Sequence, residues 1–495
     1  MLRSTGNILQ KALFALILLL VISDALSAAR RRRARAKARK VVENTAAPAN
    51  NETAVKTAPA PVQAPTPVPV TPIVSSPDEV IPGSGTNVVA EATEVTPGAP
   101  AAKAAPSFLI TGFLDMGFSM AQNKGVGFQK DVTNAFPEYA DKTAVFLGDP
   151  ASTYMNTRHE AHDLGEAGNF PLAFDTMQGK GAPMGTINSA TIDMIAEIHE
   201  KVRLQISTEF LLRQNVVQNV TGNGNFVNLD MAFIDYKPFQ QYDITLSAGK
   251  FIGITGIEYR WRRAPDRWTV TPTLVGRYMD GNPLGLKVRG KHFDKRFVWN
   301  VGITNGNSFT NDTRIFESVE SNTGKTVAGR LSYDFAFGPI TLLEVGMSGS
   351  WGPQDQQASN NPKQWDFGPD LQVAWKALQV RGQWFKINTD GGGINEAKNY
   401  IAEAWYVEAM YSFPGLFDLV NTFGVYGRFS RRDAREIDPK YVFIVDVMQI
   451  TPGIRVDITE NIIFKAEYSI NLETGVLKNY AFSNDIFTTS LVAKF

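Results

Sequence analysis

Residues 200–214 read EKVRLQISTEFLLRQ, and their pattern decides the fold. Val202, Leu204, Ile206, Phe210 and Leu212 alternate with Lys201, Arg203, Gln205, Ser207, Glu209 and Arg213. Successive side chains on a strand point to opposite faces, so the segment predicts a ribbon with one apolar and one charged face. SFLITGFLDMGFSM, from Ser107, repeats the theme. Phe108, Ile110, Leu114, Met116, Phe118 and Met120 flank Thr111, Asp115, Gly117 and Ser119, with Leu109 and Phe113 out of step.

Sixteen such runs follow Ser107, beginning near residues 107, 187, 200, 226, 241, 283, 297, 327, 340, 365, 378, 400, 418, 447, 461 and 485. No stretch of helical period interrupts them. Several reach the ~9–11 residues that cross a bilayer as a tilted strand, whereas sandwich strands are shorter and their polar faces less regularly charged. Tight joins are marked by His199-Glu200, Lys237-Pro238, Gly338-Pro339, Lys376-Ala377 and Glu460-Asn461, and the intervening connections are long. Alternating short and long connections predict a closed up-and-down ring with its turns at one end and its loops at the other. Hydrocarbon offers no partner for a bare peptide group, so strands in it must close without an edge.

The expected fold is therefore all-β: a sixteen-stranded antiparallel transmembrane up-and-down β-barrel over 107–495. The count becomes eighteen if RWTVTPTLVGRY (267–278) is itself a strand, although Pro272 argues against full pairing there. A ring of this size encloses water. Arg203, Glu209, Lys287, Arg289, Arg330, Asp370, Arg381, Glu403, Arg455 and Glu467 are expected to line it, mostly as ion pairs along the wall.

Composition agrees with this class. The 495 residues carry 49 Lys+Arg and 49 Asp+Glu, which is not the balance of a nucleic-acid binder. With no Cys, disulfide scaffolds, zinc fingers, iron–sulfur clusters and thiol catalysis are excluded. Residues 1–106 hold 12 Lys+Arg and 7 Asp+Glu, leaving 37 against 42 in the remainder.

That N-terminal part reads as an extension. Arg3 and Lys11 precede the apolar run Ala12–Ile22, and Ala25, Ser27 and Ala28 suit a signal peptidase, so 1–28 is expected to be a cleaved signal peptide. Residues 29–40 form a basic arm, with eight cations in Arg30–Lys40, suited to anionic lipid or peptidoglycan. Residues 41–106, rich in Ala and Pro, cannot bury a core and are expected to be a disordered linker.

The chain ends DIFTTSLVAKF, with Phe487, Leu491, Ala493 and the terminal Phe495 in alternation. This resembles the assembly signal of bacterial outer-membrane β-barrels. With the signal peptide and sixteen strands, Ser107–Phe495 resembles a Gram-negative porin, nearest in style to phosphate-selective and DcaP-like porins. The GKF stretch Gly249-Lys250-Phe251, with Gly256 and Glu258, is similar to one in that group. The resemblance implies an outer-membrane channel for passive diffusion of small hydrophilic solutes or ions, and a homotrimer. The N-terminal extension and C-terminus would then be periplasmic. The competing expectation is a structural or adhesive barrel that anchors cell wall through its tether.

The third outer loop is expected between Phe251 and Leu284. It carries Arg260, Arg262, Arg263, Arg267 and Arg277 against Glu258, Asp266 and Asp280. In general porins this loop folds inward, which would make these constriction residues; a ladder of arginines favours anions such as phosphate or carboxylate.

Catalysis is not expected. Thr323-Gly324-Lys325-Thr326 has Val319 where a phosphate-cradling loop needs Gly, and GMSGS around Ser348 lacks the second Gly of a nucleophile elbow. His159, Glu160, His162, Asp163 and Glu166 of the first loop are read as solvated, so neither metal nor cofactor is assigned.

Overall fold

The computed structural model describes residues 106–121, 129–131, 144–148, 184–210, 227–239, 242–276, 283–305, 307–310, 313–316, 323–335, 338, 340–353, 363–389, 400–417, 420–437, 441–475 and 485–495. Among these, eighteen strands share one sheet. Two, Gln129–Asp131 and Ala144–Gly148, are short pieces of the first long loop, and sixteen form the ring.

The ring strands are β1 (Ser107–Ala121), β2 (Met184–His199), β3 (Val202–Phe210), β4 (Val227–Tyr236), β5 (Asp243–Lys250), β6 (Leu284–His292), β7 (Phe297–Thr304) and β8 (Thr326–Asp334). They continue as β9 (Leu342–Pro353), β10 (Lys363–Trp375), β11 (Leu378–Thr389), β12 (Tyr400–Phe417), β13 (Val420–Ile437), β14 (Tyr441–Asp457), β15 (Ile462–Glu473) and β16 (Ile486–Lys494). Each pairs antiparallel with the next, and β1 closes on β16 with Phe113 opposite Lys494 and Met116 opposite Leu491. Residues 267–276 form no strand, so the ring has sixteen strands, not eighteen.

The short connections include Glu200-Lys201 and Lys376-Ala377, the latter with Lys376 at φ 52°. Two more, Phe293–Arg296 between β6 and β7 and residues 418–419 between β12 and β13, complete the alternation without Gly or Pro to announce them. The fourteenth strand starts at Tyr441, six residues before the position expected from alternation. Its first residues, YVFIVD, pair with β13 on one side and in parallel with Ala144–Gly148 on the other. Ile444 and Val445 are both buried, at 1% and 0% exposure, so the stretch is a continuous apolar run rather than an alternating one.

The outer face is apolar: Phe108, Leu286, Trp351 and Val407 are exposed on it. Aromatics gather toward each end. Trp351, Trp365, Trp384, Trp405 and Phe429 lie toward the long loops, with Trp405 and Phe429 ring centroids 5.3 Å apart. Tyr333, Phe335, Trp375, Tyr411 and Phe413 lie toward the short turns. Two girdles around an apolar band are what two water–lipid interfaces require. The inner face is polar, with Arg330, Asp370, Arg381, Glu408, Arg428 and Glu467 buried along it.

Candidate functional site

The strand that leads into the third long loop, β5, is eight residues long. At its end Gly249 takes φ 127°, where a Cβ would run into the carbonyl oxygen of Ala232, and the chain turns into the ring. From Phe251 to Val275 the loop is packed inside. Phe251, Ile257, Val270 and Val275 have no exposed surface. Ile254 occupies the space beside Gly302 of β7. A single 3-10 turn, Glu258–Trp261, then presents Glu258 and Arg260 to opposite needs. Glu258 accepts from the Thr273 N–H at 2.8 Å and from its hydroxyl at 2.5 Å, tying the loop to itself. Arg260 makes two bonds, 2.8 and 2.9 Å, to the carboxylate of Glu344 on β9.

The other arginines are also held. Arg262 donates to Asp230 of β4 at 2.6 Å. Arg263 donates to Asp193 of β2 at 2.8 Å and to Ser207 of β3 at 2.7 Å. Arg267 is bonded to the loop itself, at the carbonyls of Arg262 and Val270. Arg277 lies outside the described residues, as do His159, Glu160, His162, Asp163 and Glu166. Further along, Glu467 of β15 accepts from the Val270 and Thr271 N–H groups at 2.7 and 3.0 Å, and Arg428 of β13 donates to the Thr271 carbonyl at 2.6 Å. Arg381 of β11 is clasped between two loop tryptophans, its guanidinium carbon 3.8 Å from the Trp261 ring centre and 3.3 Å from that of Trp268. The loop is thus fastened to walls on both sides of the ring.

Burial works against charge in this loop. It pushes the carboxyl of Glu258 above its usual range, against the pull of the Thr273 hydrogen bonds. It also opposes the charge of Arg263, yet Asp193 and Asp230 outweigh it and hold that guanidinium above its ordinary value.

The acids that receive the arginines, Asp193, Asp230 and Glu344, were not singled out in the sequence. Their signal is phase alone: each stands at an inward position of its strand. Of the charges expected to line the lumen, Glu403 is a correction. It faces outward and accepts from Trp384 Nε1 at 2.9 Å. The reason is the loop: Leu274 and Val275 pack inside against Ala402, Ala404, Ala434 and Val445, so the apolar phase of β12 faces inward at this height. Sequence periodicity assumed that only lipid takes the apolar face.

Among the described residues part of the interior stays unfilled. A cavity lies between the start of the loop, at Ile252, Gly253, Ile254 and Tyr259, and the wall strands β3–β7. Arg203, Asp235, Thr245, Lys287, Arg289 and Asn300 line its wall side.

No family model matches the sequence, and no curated protein does. Solved structures align with most of the chain at low TM-score and low identity. The chain is similar to the outer-membrane channel DcaP of Acinetobacter baumannii, at TM-score 0.45 and 9% identity over 80% of this chain and 99% of that one. It is similar to a loop-deletion mutant of OmpT, an outer membrane protein of Vibrio cholerae, at TM-score 0.44 and 11% identity over 79% and 100%. An anion-selective porin from Comamonas acidovorans matches at TM-score 0.41 and 9% identity over 79% and 100%. By its own strand count, closure, girdles and inserted third loop, the chain is a porin-like β-barrel.

Proposed function

We propose that the chain is an outer-membrane porin that passes small hydrophilic solutes or ions by diffusion, with a preference for anions. The observation that carries this reading is the cavity left between the inserted loop and strands β3–β7, lined by three cations, Arg203, Lys287 and Arg289, and one acid, Asp235. A passage confined to one wall takes its selectivity from that wall. Arg260, Arg262 and Arg263 shape the constriction, but each sits against a carboxylate, which cancels most of its field a few ångströms away.

On this reading residues 1–28 direct export, Arg30–Lys40 meets peptidoglycan or anionic lipid in the periplasm, and 41–106 is the tether between them and the barrel. Assembly as a homotrimer belongs to the same proposal, as does contact of the two aromatic girdles with outer-membrane lipid.

Planar-bilayer recording tests it. Steady ohmic steps are expected, with a reversal potential in a KCl gradient of the sign for chloride. A silent protein overturns the porin reading. Silence would instead favour a plugged structural or adhesive barrel, for which the specific support is the fastening of the loop to β2, β9 and β15 at once.

A further inference from the structure

We propose that the outer face of β11–β13, at the long-loop end, binds the phosphorylated headgroup of a membrane lipid. The proposal goes beyond the porin reading: it needs the barrel in a membrane with its long loops outside, but it does not need conduction.

Strand register places the charges. Val407 of β12, Phe429 of β13 and Ile450 of β14 stand in one outward row. The next row toward the long loops is Trp384 of β11, Trp405, Arg431 and Met448, and the row beyond it is Lys386, Glu403, Asp433 and Asp446. Directly opposed residues share a face. The outer face therefore passes from apolar to aromatic to charged within a few residues, and neighbouring strands make the change together. Arg435 follows two residues above Asp433 on the same face. Aromatic girdles mark the boundary between lipid and water, so the charged row stands at the height of headgroups.

On this patch the cations are less engaged than the acids. Asp446, 2% exposed, accepts from Arg431 at 3.2 Å and from the Thr474 hydroxyl. Glu403 accepts from Trp384 Nε1 at 2.9 Å. Asp433 lies 3.7 Å from Arg435 Nε and 3.9 Å from Arg431, too far for a hydrogen bond. The Arg435 side chain is 45% exposed, and among the described residues that loose pair is its whole engagement. Lys386 has no ion pair among the described residues.

The terminal nitrogens of a half-exposed guanidinium present a fork that matches two oxygens of a phosphate. Lys386 adds a second cationic point two strands away, about 10 Å at ordinary strand spacing, which suits a headgroup carrying two phosphates. Directly below lie Trp405, Phe429 and Val407, the last 48% exposed. A partner that meets phosphate-binding cations above and an apolar wall below is an amphiphile, so a lipid fits where a free phosphate or a soluble anion would leave the lower half unused.

Native mass spectrometry of the detergent-solubilised full chain, incubated with diphosphorylated lipid A, tests the surface. Counting bound lipids separates this site from the basic arm, whose binding is common to every variant. The parent is expected to retain one more lipid A than Lys386→Gln/Arg435→Gln, with occupancy of that extra state at least fivefold lower in the double variant. Lipid A stripped of both phosphates should show the same loss, while Lys237→Gln at the short-turn end leaves the count unchanged. Each variant is first checked for the faster gel migration of a folded barrel; should the double variant fail, Lys386→Gln decides alone. Equal retention by parent and variant, or equal retention of the phosphate-free lipid, overturns the proposal. Displacement by equimolar inorganic phosphate would assign the surface to free phosphate, and a dimer of the parent that the double variant dissolves would assign it to a second copy; either overturns it as well. Failure of the porin reading shows separately, as absence of conductance with lipid retention intact.

Discussion

Arg260 and Glu344, 84 residues apart, meet as a two-bond ion pair inside the ring, with side chains 1% and 7% exposed. Glu344 is shared: Arg330 of β8 also donates to its Oε1, at 3.0 Å, and is itself bonded to Asp370 of β10 at 2.8 Å. The pair therefore fixes the third loop to a charge network that already spans three wall strands.

Removing Arg260 strips two guanidinium bonds from the buried Glu344 carboxylate and leaves it with Arg330 alone. Arg260→Ala is expected to destabilise the folded barrel by about 1–3 kcal/mol, read as a lower unfolding midpoint in detergent. It should also loosen the loop, giving larger or flickering conductance steps. A variant with unchanged midpoint and unchanged conductance would show that the pair does not latch the loop.

The clasp on Arg381 is a second latch of different chemistry. A desolvated cation between two indoles is worth about 2 kcal/mol or more. Arg381→Leu keeps the bulk and removes the charge, so Trp261 and Trp268 should move toward water. The expected readout is a red shift of tryptophan emission with a lower melting midpoint; emission identical to the parent would count against the clasp.

Acid titration addresses Glu258, whose pKa burial raises. A carboxyl with a raised folded-state pKa contributes stability that is full below its ordinary range and lost as pH rises through the raised value. At pH 7 Glu258 thus opposes the packed loop. Glu258→Gln should raise the melting midpoint at pH 7 by about 2 °C, and the difference from the parent should vanish near pH 4. A lower midpoint at pH 7 would mean that the carboxylate bonds to Thr273 outweigh its burial.

Closure of the ring depends on the last residue. Phe495 N–H donates to the Gly112 carbonyl and Gly112 N–H to the Phe495 carbonyl, both at 3.1 Å, and a Cβ at Gly112 would strike the Phe495 ring. Deleting Phe495, or Gly112→Leu, should reduce the heat-modifiable folded fraction severalfold in an expressing cell. Full assembly of both variants would remove Phe495 from the closure.

The barrel itself was legible because lipid and water impose a period of two on every strand they both touch. EKVRLQISTEF shows its outer and inner faces in order, and the alternation of short and long connections shows closure. That logic failed where a third environment intervened. At β12 the loop makes the lumen dry, so Ala402 and Ala404 face in and Glu403 faces out. At the start of β14 a piece of the first loop covers the strand, and the alternation disappears.

The arginines of the third loop were visible as a cluster, but not what they do. The sequence alone determined the two-faced ribbons, their closure and a basic third loop, because each follows from local period and composition, while the choice of sixteen strands over eighteen waited on the structure of 267–276. Only the tertiary structure decided that Arg260, Arg262 and Arg263 are met by Glu344, Asp230 and Asp193. The reason is physical: ion pairing depends on which strands the ring brings within about 3 Å of each other, and periodicity carries no record of distance across a lumen.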